Sequence, residues 1–376
     1  GKGATYGTHE NYLVDRAVPF GDLVSLLIPF LVTRTIVTGS GRVGLGPNSE
    51  ISGFQLAQRA DYIESEVALE TTFNRPIVNT RDEPHADRTQ YRRLHLILGD
   101  ANCFDVPTYL KLGTTAAVLW LAEHAQTHPN GPAAAAVRQL TCLSLAEPVQ
   151  AVRQVSYDLD LTGLLKLADG RRMRALDIQE AFALALDRAI TSVGEDPTPD
   201  LTADVLGRWR SVLHALATDV DSAAPDVEWV AKRQLLEAKR LRDQTDWTNP
   251  SLAAIDLQWS AVGNSIAGKL RDRGGATVLV DPADVAAAVN TPPATTRAWL
   301  RGQLVGRYRA AVTEASWDGV LIEARPGEFY RLRLPDPRKG SAADVGEVFA
   351  DDPDVVTALA RLSRSGEQAF GAEHLD

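Results

Sequence analysis

Three of the seven histidines fall within the first 95 residues, each in polar company. They are His9 in Tyr6-Gly7-Thr8-His9-Glu10-Asn11-Tyr12, His85 in Thr80-Arg81-Asp82-Glu83-Pro84-His85-Ala86-Asp87, and His95 in Tyr91-Arg92-Arg93-Leu94-His95. Taken singly, a histidine is more often structural than a ligand. Strand parity singles out two of them, because residues i and i+2 of a strand share a face. Tyr91–Leu98 reads as a strand with Arg92, Leu94, Leu96 and Leu98 on one side, a side that is apolar apart from Arg92 and belongs on a core. Arg93 and His95 then lie together on the other side, and both are costly to bury without partners. If residues 8–12 are extended, His9 and Asn11 also share a face. Each strand therefore presents an imidazole beside a group suited to a nucleotide. Imidazole binds a divalent metal through its lone pair, Arg clamps phosphate, and Asn both donates and accepts hydrogen bonds. With phosphates present magnesium is the fitting ion. Histidine is not its usual ligand, so carboxylates must also come from elsewhere.

Other motifs carry less. Gly39-Ser40-Gly41-Arg42-Val43-Gly44 matches G-x-G-x-x-G, but a dinucleotide site needs a helix directly after the glycines. Here Leu45-Gly46-Pro47-Asn48-Ser49 follows, so a turn or bulge is expected. Cys103 reads as a small apolar filler, and no Ser-His-Asp or Cys-His arrangement presents itself. Thr80–Asp87 is either a solvated loop or a wall of a site.

The elements that position these residues follow from pattern. Residues 1–100 read as strands, including the four β-branched residues Thr35–Thr38 and the stretches Phe54–Leu69 and Ile77–Asn79. Helices begin after residue 105, where Asp105-Val106-Pro107 is a start signal. Further helices are expected from Asp177 towards Gly194, over Asp200–Leu216, over Asp226–Asp243 with Glu228 pairing Lys232 one turn on, and over Leu252–Arg271. Asn290-Thr291-Pro292-Pro293 cannot continue a helix and marks a boundary. Beyond it lie a helix over Thr295–Val312, a hairpin about Pro326-Gly327 and an acidic helical tail.

Composition closes off several classes. At 376 residues and 44% hydrophobic, the chain is rich enough in apolar residues to pack a core and not to be disordered. Two cysteines, Cys103 and Cys142, exclude a disulfide scaffold and a four-cysteine zinc site, and a reducing cytoplasm is expected. The apolar run Leu23–Val32, ten residues containing Ser25 and Pro29, is too short to span a bilayer, and no signal peptide is visible. A net charge of −10 argues against a general nucleic-acid binder. Residues 341–376 hold eight acids and two arginines and so carry −6 of it. The remainder is rich in Arg, from codon bias or because some arginines form forks for carboxylate or phosphate. Met173 is the only methionine and residue 1 is Gly, so the text reads as a piece of a longer chain.

At Gly1-Lys2-Gly3-Ala4-Thr5-Tyr6-Gly7-Thr8-His9-Glu10-Asn11-Tyr12-Leu13, Thr38–Gly44, Asn79–Asp87, Tyr91–Asn102 and Thr291-Pro292-Pro293-Ala294-Thr295-Thr296-Arg297 the sequence resembles the Pup ligase and depupylase family, enzymes of the prokaryotic ubiquitin-like protein system related to glutamine synthetase. Gly1-Lys2-Gly3, Glu70-Thr71-Thr72 and Ala315-Ser316-Trp317-Asp318 bring it nearer the depupylase branch. The resemblance implies an α+β fold, a curved and mainly antiparallel sheet backed by helices, with a glutamine synthetase-like domain over 1–290 and a small C-terminal domain over 291–376. It implies ATP and Mg2+ as cofactors, with His9 and His95 matching metal ligands and Asn11 and Arg93 matching ATP contacts. The implied activity is an amidohydrolase that deamidates the C-terminal glutamine of Pup and cleaves the Pup–lysine isopeptide bond. Its partners would be Pup and pupylated proteins, with neither nucleic acid nor membrane. A Pup–protein ligase and a non-catalytic fragment that binds Pup or nucleotide are the alternatives. The family's catalytic aspartate and main metal carboxylates belong to a segment that precedes residue 1 in its members, so this chain alone is expected to be inactive.

Overall fold

In the computed structural model, residues 7–194, 196 and 198–364 are described, together with the backbone of 372–375. The Gly1–Tyr6 part of the family motif lies outside the described residues. Two compact units form: residues 1–82 with 93–279, and residues 83–92 with 280–376. The second unit thus begins at Val280, ahead of the boundary expected at 290/291, and also takes in Glu83–Arg92.

The first unit is organised around a four-stranded sheet in the order β1-β6-β5-β4, with β1 at Glu10–Asp15, β4 at Ile63–Ala68, β5 at Arg75–Asn79 and β6 at Tyr91–Leu96. β5 and β6 are antiparallel, with Asn79 opposite His95, while β4 and β5 are parallel. A separate antiparallel pair, β2 (Arg42–Leu45) and β3 (Ile51–Gln55), precedes β4 in the chain. The expected alternation in β6 holds: Leu94, Leu96 and, just beyond the strand, Leu98 are buried in the core. Helices back the sheet, α1 (Phe20–Thr38) against β5, α2 (Asp105–Thr127) against β1 and α4 (Pro148–Tyr157) against β4; α3 (Pro132–Thr141) packs on α2.

Helix α1 corrects the sequence reading. Thr35–Thr38 form its last turns, not a strand, because burial overrides the β preference of branched residues. By length and apolar character α1 is sufficient to cross a bilayer, so the ten-residue run understates it. It is nevertheless buried from Leu26 to Thr38 and packs on α2, α4 and α5 (Ala175–Val193), as a core helix that is apolar on all sides must.

One charge sits inside that helix. Arg34 makes a bidentate pair with Glu10 of β1, at 2.7 and 2.9 Å, with both side chains almost fully buried. Arg34 also donates to Thr115 Oγ1 at 2.5 Å and to the Lys111 carbonyl at 3.0 Å, and the Tyr12 hydroxyl donates to Glu10 at 2.6 Å. These bonds satisfy the buried charges.

Later helices show where local pattern was insufficient. Asp105 lies in the first turn of α2 as expected, but its carboxylate accepts from the Leu279 N–H rather than capping its own helix. α5 begins two residues before Asp177, which closes a capping box with Arg174. α6 spans Pro199–Thr218 and α7 Glu228–Arg242. Glu228 does not form the expected ion pair with Lys232. It accepts from the Cys103 and Phe104 N–H groups and from Trp259 Nε1, while Lys232 holds the Gly41 carbonyl and Asp256. The single helix expected over 252–271 is two, α8 (Pro250–Trp259) and α9 (Ile266–Asp272).

In the second unit, α10 (Pro282–Ala288) and α11 (Arg297–Arg307) precede an antiparallel sheet β12-β11-β10-β9, with β9 at Val312–Ala315 and β12 at Ala372–Leu375, and α12 (Ala342–Val345) and α13 (Val355–Arg364) follow the β11 strand. The Pro326-Gly327 hairpin is present: β10 (Gly319–Arg325) pairs with β11 (Glu328–Arg333), and Gly327 takes φ +80°, which glycine adopts without strain. α11 is shorter than expected. Arg297 ties the 83–92 segment into this unit by donating to the carbonyls of His85 and Leu334, at 2.6 and 2.8 Å.

Removing one partner of a buried ion pair leaves the other uncompensated. Arg34→Met should therefore lower the unfolding free energy by about 3–5 kcal/mol in urea denaturation. The double variant Arg34→Met/Glu10→Leu should lose less than Arg34→Met alone. Equal losses would show that the pair is not what the two residues contribute.

Candidate functional site

Fixing Glu10 inward fixes its neighbours outward. On β1 and the extended residues before it, Thr8 N–H donates to the Gly99 carbonyl at 2.8 Å and Gly7 bridges Asp100. His9 and Asn11 are exposed on the opposite side from Glu10. On β6, His95 is buried and Arg93 half-buried.

The structure brings His9 and His95 together. His9 Nδ1 and His95 Nε2 are 3.2 Å apart, with ring centroids at 5.2 Å. At this distance one ring donates to the other. The same separation suits two adjacent ligands of one ion: bonds of about 2.1 Å at a right angle place their donor atoms roughly 3.0 Å apart. The pair therefore fits half of a metal site. Among the described residues no group of three His, Cys, Asp or Glu completes it, so the remaining ligands must be phosphate oxygens, water or carboxylates not gathered there. Asn11 sits two residues along β1, its amide donating to the His9 carbonyl at 3.3 Å. Arg93 sits two residues before His95, its N–H donating to Asp82 at 3.1 Å; Asp82 also takes a fork from Arg16, at 2.8 and 3.2 Å. His85 does not join them and belongs to the second unit, where its ring lies 6.4 Å from Trp317.

Residues that strand parity did not select complete the electrostatics. Arg59 is 95% buried by its 5% exposure, and its Nε has no hydrogen-bond partner among the described residues. It lies so close to Gly7 that a Cβ there would meet the Arg59 side chain at 2.3 Å. Partial desolvation first, then the guanidinium groups of Arg59 and Arg81, hold the His9 imidazole below its ordinary value. Burial and nearby Arg75 likewise lower Arg59. This face thus carries positive charge that calls for an anion. Asp100 anchors it from behind: its buried carboxylate accepts from Ser40 N–H, Gln58 N–H and Arg59 N–H at 2.8, 2.9 and 3.1 Å.

The Gly39–Gly44 run is used structurally, as expected. Its Ser40 N–H is held by Asp100 and its Gly41 carbonyl by Lys232, and β2 rather than a helix follows. Cys103 is half-buried, with its thiol pushed up to about 11 by burial and by Glu228, which leaves it protonated and poorly nucleophilic.

A depressed histidine pKa means that the unfolded state binds the proton more readily. The His9 contribution is neutral above 6.5 and becomes destabilising as pH falls through it. In an NMR titration the His9 midpoint should lie below 6.5 and move up in Arg59→Met. An unmoved midpoint would remove Arg59 from the site's electrostatics.

Residues 1–321 match the family model described as "Pup-ligase protein". The chain is 45% identical over 366 residues to the Pup deamidase/depupylase of Mycobacterium tuberculosis (strain CDC 1551 / Oshkosh), covering 96% of this chain and 70% of that protein. Among solved structures, the Pup ligase PafA in complex with ADP has a TM-score of 0.77 at 30% identity, covering 96% of this chain and 74% of that one. The complex of Pup with its ligase PafA has the same TM-score and identity, covering 97% and 69%. On the family match and the identity across nearly its whole length, this chain belongs to the Pup-ligase family.

Proposed function

We propose that the protein is a depupylase and Pup deamidase, a hydrolase of side-chain amides at the C-terminal residue of Pup. The observation that carries this reading is the convergence of two imidazoles on an arginine-rich sheet face in a chain that is 45% identical to a depupylase. The ligase structures are more distant, at 30% identity. Deamidation and depupylation are one reaction: water adds to the glutamyl side-chain carbonyl, the C–N bond breaks, and the leaving nitrogen takes a proton. Ammonia leaves when the amide is glutamine, and the lysine amine leaves when it is an isopeptide.

The bound nucleotide would be ATP with Mg2+, and the ADP complex of PafA supports a nucleotide here. His9 and His95 would hold the ion, and Asn11 and Arg93 would contact ATP. When bound, the ion and phosphates supply positive charge and oxygen ligands that stabilise negative charge developing on the amide oxygen. Arg59 and Arg81 orient and neutralise the anion. No residue of this chain is assigned as base or nucleophile. Pup and pupylated proteins are the partners. The compartment we propose is the cytoplasm, where Cys103 and Cys142, both free, stay reduced.

A form of the protein that also carries the family's preceding segment, incubated with ATP, Mg2+ and glutamine-ended Pup, should release ammonia and leave Pup ending in glutamate. Conjugation of glutamate-ended Pup without ammonia release would establish the ligase reading instead. His95→Ala should weaken divalent-dependent ADP binding by roughly tenfold or more with an unchanged circular dichroism spectrum. Equal affinity at limiting Mg2+ would remove His95 from the metal site.

A further inference from the structure

Behind the imidazole pair lies a buried link that the proposed chemistry does not itself use. Lys111 of α2 is 2% exposed, and its ammonium donates to the Asp100 carbonyl and to Thr8 Oγ1, the latter at 3.4 Å. The Thr8 hydroxyl donates to the same Asp100 carbonyl at 2.7 Å. Thr8 precedes His9, and Asp100 lies in the segment that follows β6, so the link closes a loop around both histidines. Glu10 and Lys111 fill the space beside Gly99: a Cβ there would meet Glu10 Oε1 at 2.7 Å and the Lys111 stem at 3.5 Å. A lysine buried this deeply for packing alone would be replaced at lower cost by an apolar residue of similar shape.

We propose that Thr8 and Lys111 are positioning residues, which hold the His9 ring against His95 by pinning the backbone before His9 to the Asp100 carbonyl. The proposal rests on the reading of His9 as a metal ligand only for its consequence; the ring placement itself is independent of it. The Thr8 hydroxyl is taken up by the Asp100 carbonyl and by Lys111. Losing one such hydrogen bond without loss of volume is worth about a threefold to tenfold change in affinity.

The test compares Thr8→Val, Thr8→Ser and Lys111→Met. Val keeps the shape of Thr and removes the hydroxyl; Ser keeps the hydroxyl. Imidazole 15N resonances of His9 and His95 should move in Thr8→Val and in Lys111→Met, while those of His124 and His214 stay. Thr8→Ser should retain the native resonances, a rescue that a packing role would not give. ADP affinity in the presence of Mn2+ should fall by about threefold to tenfold in Thr8→Val, and Lys111→Met added to it should cost little more. Lys111→Met alone decides the matter if Thr8→Val does not fold. Unmoved His9 resonances, or a Ser variant that behaves like Val, overturn the proposal. Moved resonances in a protein whose ADP affinity ignores Mn2+ support the positioning role and overturn the metal reading instead.

Discussion

The buried pair between Glu10 and Arg34 is the constraint from which the site follows. Side chains alternate along a strand, so a carboxylate tied inward at Glu10 turns His9 and Asn11 outward. A slip of one residue would invert them. The tie is strong because it is bidentate and because Tyr12, Thr115 and the Lys111 carbonyl satisfy the remaining polar atoms. An apolar pair of the same volume would stabilise the fold as well or better. The ionic pair is made only with Glu10 on the helix side of β1. It also anchors β1 to a mostly apolar core helix, so the strand edge and the helical core are tied together.

The second determinant is charge that the protein leaves for a ligand to complete. Arg59 is buried beside His9 with Arg75 and Arg81 near. Burial and like charge both disfavour this arrangement. A polyphosphate offsets both, which is the physical sense in which the sheet face is suited to a nucleotide. The depressed His9 imidazole has the same origin. It keeps a lone pair available at neutral pH, as metal ligation requires. On the proposed reading, the face would take one composite ligand, anion and cation together.

Much of this is legible in the sequence. Parity in Tyr91–Leu98 separates Leu94 and Leu96 from Arg93 and His95, and the structure buries the leucines in the core. The same rule pairs His9 with Asn11. Arg59 is not legible, because its approach to His9 depends on folding of segments far apart in sequence, whereas Arg81 lies in Thr80–Asp87, a stretch that pattern leaves open between a solvated loop and a wall of a site. Asp100 draws the Arg59 backbone in from forty-one residues away, and no local pattern encodes that. α1 was misread for a related reason: the β-branched run Thr35–Thr38 has a strand's preference, and the core around it decides otherwise. Glu228 and Lys232 have ideal helical spacing, yet each has a stronger partner, the start of α2 and the Gly41 turn. Local spacing states which contacts are allowed, and the tertiary structure chooses among them.

The central claim is that this register brings His9 and His95 to a single ion beside a nucleotide. The direct measurement is anomalous diffraction from crystals grown with ADP and Mn2+. The account predicts one strong peak bonded to both His9 Nδ1 and His95 Nε2, with nucleotide phosphate oxygens completing its shell. Bound ADP with manganese elsewhere, or with the two rings still hydrogen-bonded to each other, would contradict it.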